Sequence, residues 1–119
     1  IPCHKLFEDE KYFSFLDIRP INPGHALVIP KQAIDYIFDL KDADLGDMII
    51  FSKKIARAIK KAVPCKKVGM MAAGLEVPHA HIHLIPLVEN VHELSFANAK
   101  AAAEEALASM AECIRHEID

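Results

Sequence analysis

Three histidines stand on alternate residues of one apolar stretch, at His79, His81 and His83. Successive side chains of a β-strand point to opposite faces, so this spacing predicts three imidazoles on one face. Imidazole serves both as a neutral nucleophile and as a proton carrier near neutral pH, and it is the commonest metal ligand. The row therefore predicts a chemical site on a strand inside the apolar run from Val77 to Val88, ending near Pro86 and Leu87.

Two chemistries fit such a row of imidazoles, and the spacing alone does not separate them. In the first, His79 and His81 together with His25 chelate a metal such as zinc, which activates water or polarises a substrate. In the second, the middle histidine attacks phosphorus while its neighbours hydrogen-bond the non-bridging oxygens, and the covalent phosphohistidine is then hydrolysed. Both readings predict a hydrolase, with different roles for the same side chains.

The apolar periodicity predicts five strands and two helices around this row. Strands are expected over residues 4–8, 11–17, 25–29 and 65–73, followed by the histidine strand, and helices over 42–63 and 98–117. Ile50 and Phe51 fall off the core stripe of the first helix, which favours either a second buried surface or a wide core face. The order predicts an α+β fold, a five-stranded antiparallel sheet with one long central helix and a C-terminal helix.

Length and composition limit the classes of protein to which the chain can belong. Its 119 residues predict a single domain over 1–119, and the net charge of -3 argues against strong nucleic-acid binding. Three widely spaced cysteines without a C-x-x-C pair argue against a disulfide framework and predict a cytoplasmic protein. There is no apolar run long enough for a membrane span. The start at Ile1 instead of methionine suggests a short leading segment outside this sequence.

The surrounding residues resemble a known family. The stretch from Asp17 to Pro30 contains Pro-Gly-His, and His79 to Ile85 repeats histidine and apolar residues three times before two further apolar positions. Together these motifs resemble the histidine-triad (HIT) family of nucleotide hydrolases and transferases over most of residues 1–90. The third triad position is His83 and not glutamine, which is more similar to the hydrolase branches than to the sugar-phosphate uridylyltransferase branch.

The resemblance implies a catalytic role for each of four histidines. His81 is implied to attack the α-phosphate of a nucleotide and to become transiently nucleotidylated. In the family a backbone carbonyl of the same strand accepts a hydrogen bond from the N–H of the other ring nitrogen, which fixes the tautomer. His83 is then expected to bind a phosphate oxygen, and His79 with His25 to support the site by hydrogen bonding. The covalent step implied by the family requires no metal and no cofactor.

The same resemblance implies a nucleotide-binding surface. Asp17 would accept hydrogen bonds from the two ribose hydroxyls, a task suited to an ionised carboxylate. The base pocket is expected at Phe15, Ile18 and Leu27. The turn that approaches the phosphate is expected at Gly74, Glu76 and Val77. The pocket residues would serve equally well as ordinary core. A homodimer and a preference for adenine are implied by the family, and nothing in the residues themselves selects a base.

The chain departs from the family pattern around the phosphate. Many members carry asparagine or glutamine where this chain has Val68 and Gly69, and glutamine, serine or threonine where it has Leu75 and Glu76. These positions touch the phosphate and the leaving group, so the bond cleaved and the proton donor stay open. A nucleotide-binding module with weak catalysis is therefore an alternative to the hydrolase. The zinc-binding C-x-x-C of some members is absent from this sequence.

Overall fold

The computed structural model describes residues 3–75 and 77–118, in which five strands form one sheet of order β1-β2-β3-β5-β4. The strands are β1 Lys5–Glu8, β2 Tyr12–Leu16, β3 Ala26–Pro30, β4 Lys67–Met71 and β5 Ile82–Leu87. Every neighbouring pair is antiparallel. The predicted α+β class, with its five-stranded antiparallel sheet, is confirmed.

The first two strands form the expected hairpin, and β2 shows how the sheet divides its two faces. One Asp9 carboxylate oxygen accepts hydrogen bonds of 2.8 Å from the backbone amides of both Lys11 and Tyr12, which stabilises the turn. Tyr12 and Ser14 are buried toward the helices, whereas Phe15 is half-buried on the opposite side. The sheet thus has a helix face and an open face, and the open face carries the site described below.

Two helices cover the helix face: α1 Asp42–Ala62 and α2 Glu104–His116. Phe51 lies in the core, in agreement with the wide core face, because it stands three residues after Met48 and four before Ile55, both buried on the same helical stripe. Its ring centroid lies 5.6 Å from that of Tyr12. Ile50 does lie off the stripe and is 68% exposed.

The C-terminal helix begins later than predicted. In place of helix from residue 98, a short 3-10 turn spans Phe96–Asn98 and an extended stretch follows it. The amides of Lys100 and Ala102 donate to the carbonyls of Pro20 and Ile18, at 3.3 and 3.2 Å. Because these amides pair with the loop after β2, they are not available to a helix.

The histidine strand ends at Leu87, as predicted, but it begins only at Ile82, after the first two triad histidines. Its partner β3 ends at Pro30, and Val28 opposite Ile82 is the last pair between them. Before this point, the Ala80 amide donates to the Ile34 carbonyl at 2.7 Å. His79 and His81 therefore lie in the segment that leads into β5, and only His83 lies in the strand.

The cysteines and the two helices can be compared with the expectations drawn from the composition. Cys3, Cys65 and Cys113 are all free thiols. Within residues 3–75 and 77–118, neither helix is long and apolar enough to cross a bilayer.

Candidate active site

A row of side chains crosses the open face of the sheet at one level. The strand register places Phe15 opposite Leu27, Leu27 opposite His83, and His83 opposite Met71. Of the residues predicted for a base pocket, Leu27 therefore adjoins the last triad histidine, and Phe15 lies one strand further along the row. His83 is only 7% exposed because three rings surround it, those of His25, His81 and Phe96, at centroid distances of 5.1, 4.9 and 4.9 Å.

A hydrogen-bond chain fixes the tautomers of His25 and His83. The Ile21 amide donates to Nδ1 of His25 at 3.0 Å, so this nitrogen carries no proton. A neutral His25 therefore carries its proton on Nε2, which lies 2.9 Å from Nδ1 of His83 and donates to it. His83 must then hold its own proton on Nε2. That N–H is a donor which the chain of hydrogen bonds leaves available.

Burial keeps both of these rings neutral. It is the largest cause that lowers the pKa of His83 from 6.5 to about 4, and charge repulsion from the neighbouring His25 and His81 makes up the rest. Burial also lowers the pKa of His25, although the Asp17 carboxylate, 3.7 Å from Nε2, favours the charged form. Neutral rings at pH 7 are the state that the hydrogen-bond chain requires.

His81 has the opposite tautomer. Its Nδ1 lies 2.7 Å from the backbone carbonyl oxygen of His79, and since a carbonyl only accepts, Nδ1 carries the proton. Neutral His81 therefore has its lone pair on Nε2. His79 in turn donates from Nε2 to the Pro30 carbonyl at 2.8 Å, which ties this segment to the end of β3. The site thus combines a nucleophilic nitrogen on His81 with an N–H donor on the adjacent His83.

Asp17 lies at the end of β2, beside the buried histidine. Its amide donates to the His25 carbonyl at 3.0 Å, and its Oδ1 accepts from the Arg19 amide at 2.9 Å. Each carboxylate oxygen has two lone pairs, so the half-buried side chain retains capacity for further donors. The next residue, Ile18, is 61% exposed. An apolar side chain in solvent beside a carboxylate suits a ligand that is partly apolar.

The predicted phosphate-approaching turn lies between β4 and β5. Gly74 has a φ of +69°, in the left-handed region that favours glycine, and an added Cβ would meet nothing within 4 Å. Val77 is 55% exposed. Glu76 lies outside the described residues. The described part of the turn leads directly into His79.

The metal alternative draws on a different set of ligands from the one predicted. Among the described residues, the group of potential ligands that comes together is Asp17, His25 and His83, whose ligand atoms lie within 4.8 Å of one another. The predicted set of His79, His81 and His25 is wrong as a cluster. Nε2 of His79 is turned to a backbone carbonyl, and His25 is buried beside His83.

Three residues beside the site were missed by the sequence reasoning: Asn22, Glu93 and Phe96. The Asn22 amide nitrogen donates to the Pro86 carbonyl at 2.8 Å and to Oε1 of Glu93 at 2.7 Å. Asn90 followed three residues later by Glu93 forms a capping box, a pattern that is readable from sequence. No comparable local pattern identifies Asn22 or Phe96.

Fold and site together define a sheet protein with a histidine cluster at the end of a central strand. The model of the HIT domain matches residues 1–90, and the chain belongs to this family.

Relatives at the level of sequence include two enzymes. The adenosine 5'-monophosphoramidase of Saccharomyces cerevisiae is 39% identical over 87 residues, which cover 72% of this chain and 55% of the yeast protein. The asymmetrical bis(5'-nucleosyl)-tetraphosphatase of Schizosaccharomyces pombe is 36% identical over 78 residues, which cover 61% of this chain and 43% of that protein. The chain thus spans about half the length of each enzyme.

A solved structure matches nearly the whole chain. It is the crystal structure of a Hit-like protein involved in cell-cycle regulation from Bartonella henselae, with a TM-score of 0.87 and 32% sequence identity. The superposition covers 99% of this chain and 88% of that one. The fold described above is therefore the fold of a solved HIT protein.

Proposed function

We propose that the protein hydrolyses a nucleotide at its α-phosphate through a covalent nucleotidyl-histidine on His81 and releases a nucleoside monophosphate. The observation that carries this proposal is the 2.7 Å hydrogen bond from Nδ1 of His81 to the His79 carbonyl. It leaves the Nε2 lone pair free without a general base, since neutral imidazole is itself the nucleophile. A phosphoramidate or a dinucleoside polyphosphate is the proposed substrate class, supported by the activities named for the two yeast relatives.

The proposed reaction has two displacements at phosphorus. In the first, Nε2 of His81 forms a bond to the α-phosphorus, while the leaving group departs with the bonding electrons and takes a proton from water. In the second, a water molecule attacks the same phosphorus, the P–N bond breaks, and the imidazole regains its lone pair. The proton lost by the attacking water neutralises the hydroxide left by the first step. The Nε2–H of His83 donates a hydrogen bond to a non-bridging phosphate oxygen in both steps. This donor stabilises the negative charge on that oxygen. The covalent steps, as proposed, use no metal.

Substrate binding is assigned to the surface beside these histidines. We propose that Asp17 accepts the ribose hydroxyls and that Phe15, Ile18 and Leu27 contact the base. The register supports this assignment, because Phe15 lies next to Leu27, and Leu27 lies next to His83, across the open face. A nucleotide with its sugar on Asp17 would extend its phosphate toward the histidines. Gly74 and Val77, with Glu76, remain proposed for the phosphate-approaching turn.

We also propose that two copies pair along β4. This strand is at one edge of the sheet, and its outer side has no strand partner among the described residues. Met70 on this strand is 55% exposed. Unpaired edges with apolar side chains are surfaces that proteins cover. Light scattering should give twice the mass of one chain, and a single-chain mass would contradict the pairing.

Intact-mass measurement during turnover of adenosine 5'-phosphoramidate tests the proposed chemistry. Wild-type protein stopped in alkali, where phosphohistidine is stable, should gain the mass of one nucleoside monophosphate less one water. His81→Ala should lack both the adduct and the activity. His116→Ala, which removes an exposed histidine of α2, is the matched control and should retain both.

The other outcomes of this experiment separate the alternatives. Equal turnover by wild type and His81→Ala would refute the proposed nucleophile. A stoichiometric metal, together with loss of activity in chelator, would favour the metal-dependent hydrolase. Binding of adenosine monophosphate without turnover would favour the binding module.

A further inference from the structure

The segment from Val88 to Asn98 crosses the open face beside the histidines and has no role in the chemistry proposed so far. It carries Phe96, whose ring centroid lies 4.9 Å from that of His83 at an interplanar angle of 61°. Phe96 itself is 48% exposed, so its outer side faces solvent. The ring therefore stands between His83 and water on one side of the imidazole.

Glu93 anchors this segment. Its Oε1 accepts from the Val88 amide at 3.0 Å, and its Oε2 accepts from the amides of Glu89 and Asn90 at 2.7 and 2.6 Å. These backbone amides lower its pKa to about 2, with a smaller contribution from Asn22. The carboxylate is thus held ionised as the centre of the turn that precedes Phe96.

Asn22 connects that anchor to the loop that determines the tautomer of His25. Its side-chain nitrogen donates to Oε1 of Glu93 at 2.7 Å and to the Pro86 carbonyl at 2.8 Å. The backbone carbonyl of Asn22 accepts a hydrogen bond from the His25 backbone amide at 3.0 Å. The preceding residue, Ile21, supplies the amide that donates to Nδ1 of His25. The Glu93 turn and the His25 loop are therefore joined by one side chain.

We propose that Glu93 and Phe96 are positioning residues for His83: Glu93 holds the loop that orients His25, and Phe96 shields the His83 ring from water. Together they keep His83 as the neutral tautomer whose Nε2–H donates to the substrate phosphate. This inference rests on the proposed function for the role of that donor. The geometry on which it stands concerns the protein without substrate.

The groups facing His83 explain why shielding matters. They are the rings of His25, His81 and Phe96, with the Asp17 carboxylate behind His25. A proton on Nδ1 of His83 would face the Nε2–H of His25 across 2.9 Å. His25 cannot reverse its tautomer, because its Nδ1 faces the Ile21 amide. Water admitted in place of Phe96 would solvate the imidazolium and favour this disrupted state.

The first experiment replaces the shielding ring and follows His83 directly. Nitrogen NMR of the substrate-free protein should show His83 titrating at higher pH in Phe96→Ala than in wild type, with a smaller rise in Phe96→Leu. A shift of one pH unit in this titration is a tenfold change in the protonation equilibrium of His83. Phe38→Ala, which removes an exposed phenylalanine that pairs with Tyr36, is the matched control and should titrate like wild type.

The second experiment tests the anchor. Glu93→Gln should reduce kcat about tenfold or more, with a smaller change in KM, because misplacement of a catalytic group acts on the reacting geometry. The nitrogen signals of His83 should also show a mixture of tautomers. Glu89→Gln, in the same turn, should behave like wild type, since the structure uses the amide of Glu89 and not its carboxylate.

The outcomes distinguish this inference from the proposed function. Folded Phe96→Ala and Glu93→Gln proteins with the wild-type titration and tautomer of His83 would overturn the inference, even if wild type is active. Absence of turnover by wild type would overturn the proposed function, while the NMR comparison would still decide the positioning role. If Phe96→Ala does not fold, Phe96→Leu and Glu93→Gln decide the question by the same two signals.

Discussion

Replacement of His83 by glutamine tests whether this ring is buried in its neutral form. The glutamine carbonyl can accept from Nε2 of His25, as Nδ1 of His83 does at 2.9 Å, and its amide nitrogen can donate toward the substrate. Glutamine does not titrate. The substitution therefore removes the proton equilibrium at this position while leaving a partner for His25.

The magnitude of the effect follows from the pKa of His83. The folded protein binds this proton with a pKa of about 4, against 6.5 for the ordinary side chain. Between these values the unfolded chain binds the proton and the folded protein does not, so the free energy of unfolding falls as pH decreases. The loss begins near pH 6.5, is complete below pH 4, and amounts to about 3 kcal/mol at about 1.4 kcal/mol for each pKa unit.

Urea denaturation at several pH values measures this difference. Between neutral pH and about pH 4, wild type should lose about 3 kcal/mol more unfolding free energy than His83→Gln. His116→Gln removes an exposed histidine from α2 and should follow wild type. Parallel losses in wild type and His83→Gln would refute the conclusion that His83 is a buried neutral ring.

Five further substitutions test the fold and the binding surface. Gly24→Ala should destabilise by more than about 1 kcal/mol in thermal unfolding, since φ is +98° and an added Cβ would lie 2.8 Å from a core valine methyl. Gly46→Ala, in open space on α1, should stabilise by up to about 1 kcal/mol. Phe51→Ala should cost about 3–5 kcal/mol, whereas the exposed Ile50→Ala should change stability by less than about 0.5 kcal/mol. Asp17→Asn should raise KM for the phosphoramidate more than it lowers kcat, and an unchanged KM would contradict the ribose-binding role.

The spacing of apolar residues was sufficient to predict the elements of the fold. The hairpin of the first two strands and the position of α1 follow from local patterns, since Asp9 stabilises its own turn and Pro64 follows the end of the helix. The start of α2 was predicted six residues too early. That error has a tertiary cause, because the amide of Ala102 pairs with the Ile18 carbonyl of a distant loop.

The site was predicted only in part, for a similar reason. Alternate spacing identified His81 and His83 as neighbours, and the structure brings their rings to 4.9 Å. The same spacing placed His79 in the strand, although β3 ends before it can pair there. The link between Asn22 and Glu93 joins positions 71 residues apart, so no local pattern reports it.

The sequence by itself determined which residue types are available: imidazoles at alternate positions, a carboxylate at the end of β2, and apolar side chains beside them. Tertiary structure decided which ring nitrogen carries each proton. That choice depends on the Ile21 amide beside His25 and on the His79 carbonyl beside His81. Hydrogen-bond partners of this kind are backbone groups that every residue has, and only the folded chain brings a particular one to a particular nitrogen.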